Sequence, residues 1–150
     1  MIEGVVNLLK PPGMTSSDAV TDIRRVFGMK RVGHTGTLDP GAAGVLPVCI
    51  GRATRLFDYL VDKQKEYIAE ISFGAATDTQ DSYGSVTQRG VSRVGIEELR
   101  AALPRFTGEI GQIAPMYSAV RLEGKKLYQL AREGANAVAL RRDVTVYLLE

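Results

Sequence analysis

The sequence predicts an α+β fold, and three observations carry that expectation. Stretches in which apolar and polar residues alternate (65–73, 141–150) stand beside stretches with apolar residues every three to four positions (18–27, 96–103), the signatures of strand and helix. The two kinds follow one another irregularly along the chain, as in α+β proteins. At 150 residues, 45% hydrophobic and 24% charged, the chain is long enough for one ordinary domain with a sizeable core.

In order, residues 5–9 (VVNLL) read as a short strand, which KPPGMTSS breaks with two prolines and a glycine before offering several N-cap residues. A helix follows from Asp18 to Phe27, with Ala19, Val20, Ile23, Val26 and Phe27 on one face, Asp22, Arg24 and Arg25 on the other, and Gly28 as its stop. The stretch from Arg31 to Leu56 is loop chemistry leading into core: Gly33, Gly36, Gly41, Gly44 and Gly51 are interleaved with His34, Thr35, Thr37 and Asp39 before the apolar run Val45 to Ile50. Arg52 to Leu60 reads as a short helix that Thr54 starts, and 65–73 as a half-buried strand with Tyr67, Ala69, Ile71 and Phe73 on one face.

Gly74 to Ser85 is a polar loop, and 84–95 looks like strand and connector. Ile96 to Leu103 forms a helix closed by Pro104, with Glu97 and Glu98 near its N-terminus. Tyr117 to Leu122 reads as a strand, Glu123-Gly124 as a turn, and Lys125 to Glu133 as a helix ended by Gly134. Arg141 to Glu150 alternates again and is expected to be a strand.

Composition narrows the function classes. No apolar run approaches the roughly 20 residues needed to span a membrane, and Gly4, Asn7, Lys10 and Pro11 interrupt the N-terminus before an apolar signal region develops. A cytoplasmic protein is expected. Cys49 is the only cysteine and His34 the only histidine, so an intrachain disulfide is excluded and no metal site is expected. Net charge is only +2, but Arg24, Arg25, Lys30 and Arg31 lie together with no acid after Asp22 and before Asp39. Such a cluster beside a reactive loop either attracts phosphates or forms a solvated face.

Asp39 is the candidate reactive group, a carboxylate that Pro40 biases towards extended backbone within a glycine-rich loop. An Asp before Pro is also an ordinary turn starter. Tyr67 reads either as a strand tyrosine or as a ring that stacks on an extruded base. His34 suits hydrogen bonding or stacking better than the role of general base. Lys10 is an RNA contact or a surface lysine, in a motif whose Pro and Gly content favours a structural turn. Asp78 and Asp81 lack the spacing of a calcium loop, so Asx-type turns are the expected use.

Four separated blocks carry a resemblance across nearly all of the chain. GHTGTLDP, GVLPV and GRATRL resemble the active-site segment of the TruB family, the bacterial tRNA pseudouridine synthases. KPPGMTS resembles that family's N-terminal motif. Lys65-Glu66-Tyr67 with Phe73-Gly74, Thr77-Asp78-Thr79 and Asp81 resembles its second motif, and the stretch from Gln112 to Gly134 its third block. Ala114 stands where the family usually has proline, Arg121 where lysine is common, and Gly41-Ala42-Ala43 where a bulkier triplet is often seen.

The resemblance implies a pseudouridine synthase fold, a mixed and mostly antiparallel sheet flanked by helices. It implies that Asp39 is catalytic, that Tyr67 packs against the target base, and that Gly33, His34, Thr37, Leu38 and Asp81 line the substrate site. Lys10, Arg24, Arg25, Lys30 and Arg31 are the expected phosphate contacts. The implied reaction converts uridine to pseudouridine in tRNA, at position 55 of the T loop, after base flipping. It needs no cofactor, and the expected partner is the tRNA T-stem loop, bound by a monomer. Asp39 could add to C6, attack C1′ or remove a C2′ proton.

Members of the family continue beyond the length seen here, through a Gly-Thr-Tyr-Ile-Arg segment whose arginine pairs with the catalytic Asp, into a C-terminal RNA-binding domain. The 150 residues are therefore expected to be the N-terminal part of a catalytic domain, and an association with the missing portion is the expected protein contact. Three other readings remain: a non-catalytic tRNA-binding or folding module, a guide-RNA-dependent synthase component, whose motif more often has Ser at the position of Thr35, and a glycosidase, which usually needs a second carboxylate.

Overall fold

The computed structural model describes residues 2–61, 64–91, 93–118, 120–133 and 140–150. The chain divides into two compact units, Met1–Ile68 and Ala69–Glu150.

The first unit is built on a three-stranded antiparallel sheet. Strands β1 (Gly4–Lys10) and β2 (Val32–His34) flank the central β3 (Gly44–Ile50). The apolar run Val45 to Ile50 takes the centre, with Leu46, Val48 and Ile50 buried on one face and Cys49 on the other, where Val45 is exposed. Pro47 is tolerated there because β2 has already ended at the His34↔Val48 pair, and the Pro47 carbonyl instead accepts the Thr35 amide at 3.0 Å.

Helix α1 (Ser16–Phe27) closes the core with Ala19 and Val20, which pack with Val32, Leu46, Val48 and Ile50. Its start is fixed by a capping box in which the Thr15 side chain accepts from the Asp18 amide and the Asp18 carboxylate accepts from Thr15. Its end is fixed by Gly28 in the left-handed conformation, φ 61°. Beyond β3, the expected single helix is a 3₁₀ segment, Gly51–Leu56, followed by the short α2 (Phe57–Val61). Thr54 does not start it; its hydroxyl donates back to the Gly51 carbonyl at 2.9 Å.

In the second unit, β4 (Ala75–Thr77) pairs with β5 (Val86–Arg89), and β6 (Gly108–Ile113) pairs with β9 (Arg141–Val146). Between them lie α3 (Ile96–Ala102), a 3₁₀ turn at Leu103–Phe106, the two-residue strands β7 (Arg121–Leu122) and β8 (Lys125–Lys126), and α4 (Leu127–Arg132). The α+β expectation holds, and every described ladder is antiparallel.

Three expectations are corrected. Residues 65–73 carry no ladder, and Tyr67 and Ile68 are 71% and 100% exposed: alternation favours a strand, but a partner's hydrogen bonds make one. Among the described residues the strand expected over 117–122 is confined to its last two, and Lys125-Lys126 belong to its antiparallel partner, so the helix begins at Leu127. The stop at Gly134 lies outside the described residues. Strand β6 was not foreseen, because GEIGQI has two glycines and little β propensity. Pairing with β9 makes it a strand, and Gly111 leaves room for the Arg141 guanidinium, whose Cζ would lie 2.7 Å from a Cβ there.

Candidate active site

Asp39 sits on the loop that joins β2 to β3, and neighbouring segments hold its backbone from both sides. Before it, the Ser16 hydroxyl donates to the Leu38 carbonyl at 3.1 Å and accepts the Leu38 amide at 3.0 Å. After it, the Gly13 amide donates to the Pro40 carbonyl at 2.7 Å. The Ala42 amide closes the turn onto the Asp39 carbonyl at 3.0 Å. The Leu38 side chain packs on the core and lies over Gly44, where a Cβ would meet its Cδ1 at 3.4 Å.

The Asp39 carboxylate itself is exposed, with no hydrogen-bond or ion-pair partner among the described residues. A structural aspartate in such a turn normally accepts local backbone amides; here the backbone is secured by its neighbours and the carboxylate has no bond among the described residues. That combination of fixed main chain and unused charge suits a reacting group.

Gly33 and His34 form the end of β2, and Thr37 and Leu38 lead into Asp39. Thr35 is buried, its amide and hydroxyl both donating to Pro47, so the loop leaves the sheet only after this anchor. His34 is half-buried, and its Nδ1 is buried without a hydrogen-bond partner. A buried ring nitrogen without a partner is costly, so this atom is available to a hydrogen-bonding group that reaches it.

Lys10 departs from the reading as a phosphate contact or surface lysine. It is 0% exposed, and its ammonium donates to the carbonyls of Pro11 and Met14, both at 2.9 Å. Its charge is spent on shaping the turn that carries Gly13.

The three arginines of the cluster have local partners as well. Arg24 donates to the Val32 carbonyl at 2.9 Å, Arg25 pairs with Asp22 at 3.0 Å, and Arg31 Nε donates to the Thr54 hydroxyl at 2.9 Å. All three, with Lys30, are exposed, so one donor of each guanidinium is used and others remain free for an anion.

Tyr67 lies in the unladdered segment after α2, with its ring exposed. Asp81 belongs to the second unit, on the loop between β4 and β5. The Thr79 hydroxyl donates to it at 2.6 Å and the Tyr83 amide at 2.9 Å, and these bonds hold its carboxyl below the usual carboxylate range. Asp78 accepts the Ser85 amide at 2.8 Å. Asp81 thus makes an Asx-type turn with Tyr83, while Asp78 bonds the backbone across the loop, seven residues on.

Two residues were missed in the sequence: Ser16 and Gly13. Both fall in KPPGMTSS, and the visible signal was the surplus of hydroxyls at a helix start that needs only one cap. Thr15 is the cap, which leaves Ser16 free for the loop.

The family model described as TruB family pseudouridylate synthase (N terminal domain) matches residues 24–150. The tRNA pseudouridine synthase B of Pelotomaculum thermopropionicum is 55% identical over 148 residues, 98% of this chain and 46% of that protein. Its namesake from Symbiobacterium thermophilum is 53% identical over 150 residues, 99% of this chain and 50% of that protein. The chain therefore spans about half the length of these curated relatives. Among solved structures, a Cbf5-Nop10-Gar1 complex aligns over 97% of this chain and 34% of that one, with a TM-score of 0.60 at 28% identity. A family match over this range, joined to relatives at such identity, has one reading: the chain belongs to the TruB family of pseudouridylate synthases.

Proposed function

We propose that this chain is the N-terminal part of a tRNA pseudouridine synthase catalytic domain, acting in the cytoplasm on uridine 55 of the T loop, with Asp39 as the nucleophile. The observation that carries the reading is an exposed, unpartnered carboxylate whose flanking residues are fixed by Ser16 and Gly13, in a chain 55% identical to a protein named tRNA pseudouridine synthase B. The uridine leaves its stack, Tyr67 supplies a π-face for it, and His34 occupies the space vacated or bonds the displaced base. Asp39 then attacks at C1′ or C6, the N1–C1′ bond breaks with its electron pair leaving on the uracil, the uracil turns, C5 bonds to C1′, and the bond to Asp39 breaks to return the free carboxylate. The C5 proton leaves to solvent and N1 gains one, so the reaction is an isomerisation that needs no external electron acceptor or cofactor. Arg24, Arg25, Lys30 and Arg31 hold phosphates of the T stem.

The test is tritium release from a tRNA transcript carrying 5-tritiated uridine. It is run on this chain, and on this chain extended by the half of the Pelotomaculum thermopropionicum relative that has no counterpart here. Release by the extended chain that disappears in Asp39→Asn supports the proposal, and release restricted to the T-loop uridine supports the position. Tight T-stem-loop binding with no release by either chain would favour a binding or folding module instead.

A further inference from the structure

We propose that Ser16 is a positioning residue for Asp39, a role that rests on the reading of Asp39 as the reacting carboxylate. Ser16 is the first residue of α1 and is 4% exposed. Among the described residues its hydroxyl hydrogen-bonds to the Leu38 main chain alone: it donates to the carbonyl and accepts the amide. A hydroxyl carries one donor and two acceptor lone pairs, so this one side chain does for Leu38 what a paired residue on a neighbouring strand would do, and the peptide joining Leu38 to Asp39 is held at its carbonyl oxygen.

The helix can spare that hydroxyl because Thr15 and Asp18 already complete the capping box. The anchor is also rigid, since the residues that follow it on α1, Ala19 and Val20, are buried in the core. On the opposite side Leu38 rests against Gly44 of β3. Leu38 is therefore clamped between the helix and the sheet, while the Asp39 side chain has no bond of its own to direct it. Where that carboxylate points follows from the backbone that Ser16 fixes.

Ser16→Ala removes both bonds without adding bulk. Ser16→Thr keeps the hydroxyl, Ser16→Cys keeps only a weak donor and acceptor of similar size, and the exposed neighbour Ser17→Ala serves as control. Tritium release is measured with the extended chain, and hydrogen exchange of the Leu38 amide with each variant. The expected result for Ser16→Ala is a fall in kcat of about 10- to 100-fold, the scale set by a misplaced reacting group. KM stays near the parental value, because a buried serine touches no RNA. Ser16→Thr restores most of kcat together with Leu38 protection, Ser16→Cys falls between, and Ser17→Ala is unchanged.

The inference is overturned if Ser16→Ala keeps parental kcat, if its loss lies wholly in KM, or if Ser16→Thr protects the Leu38 amide without restoring turnover. Should Ser16→Ala fail to fold, parental kcat in Ser16→Cys overturns it and a reduced kcat with unchanged KM supports it. Asp39→Asn, run in parallel, separates the two readings. Turnover by Asp39→Asn sinks the nucleophile assignment, whereas an inactive Asp39→Asn beside a fully active Ser16→Ala sinks the positioning role alone.

Discussion

Gly13 donates its amide to the carbonyl of Pro40 across 2.7 Å, which joins the turn after β1 to the residue that follows Asp39. That turn is itself shaped by the buried Lys10 ammonium through the carbonyls of Pro11 and Met14. Lys10→Met keeps the length of the side chain and removes both bonds. Relieving a buried charge opposes the loss, but the charge already has its partners, and two carbonyls lose a charged donor. The loss wins, and destabilisation of about 1–2 kcal/mol is expected, read as a lower urea midpoint, with faster exchange of the Gly13 amide. An unchanged midpoint would show that the turn stands without its lysine.

The left-handed Gly28 at the end of α1 offers a cleaner test of backbone strain. A Cβ there would meet nothing within 4 Å, so Gly28→Ala changes conformation energy and no contact. The expected cost is about 1 kcal/mol, the penalty of an L side chain at φ near 61°. A variant as stable as the parent would mean that α1 can end in another way.

What could be read in the sequence, and what could not, divides along a physical line. Local signals gave α1 nearly to its ends, because the cap, the apolar stripe and the terminal glycine all lie within the segment that they define. They marked 45–50 as core without making it a strand, which its pairing with β1 and β2 does. They failed where a distant partner decides. Strand β6 exists because β9 pairs with it, and 65–73 carries the alternation of a strand but no ladder. Lys10 looked like a surface residue because sequence records its charge and not the two carbonyls around it. Ser16 was hidden in the same way, its partner lying 22 residues along the chain.

Asp81 makes the pH dependence testable. Its carboxyl is held low chiefly by the Thr79 hydroxyl and then by the Tyr83 amide. A carboxyl whose folded pKa is depressed stabilises the fold above the ordinary value of 3.8, and that contribution is lost as pH falls through the lower folded value. Thr79→Val removes the largest cause. The Asp81 pKa in a carbon-detected NMR titration should then rise towards 3.8 while staying below it, because the Tyr83 bond remains. A titration curve identical to the parent's would assign the depression to another group.

The unladdered segment predicts its own exchange behaviour. The amides of residues 66–73 have no backbone acceptor among the described residues, whereas Cys49 on the central strand is paired with both Val5 and Gly33. In this chain alone, the 66–73 amides should exchange near the rate of an unfolded peptide and the β3 amides orders of magnitude more slowly. Protection of 66–73 comparable with that of β3 would mean that the alternating pattern has found a partner after all, in a second copy if protection grows with protein concentration.

The role proposed for Asp39 separates a residue kept for chemistry from residues kept for the fold. Its carboxylate is exposed and unpartnered, while the bonds that order its loop run through the main chain of Leu38, Asp39 and Pro40. Asp39→Asn leaves every one of those bonds in place and changes only a solvated charge. Its unfolding free energy should therefore stay within about 0.5 kcal/mol of the parent's, the range of surface substitutions, with the Leu38 amide as protected as before. Ser16→Ala should do the opposite, weakening the loop by about 1–3 kcal/mol as the Leu38 amide and carbonyl lose their partner. Equal destabilisation by the two variants in urea titrations would mean that the Asp39 carboxylate is part of the loop's own scaffold, and the argument that it is held free for a substrate would fall.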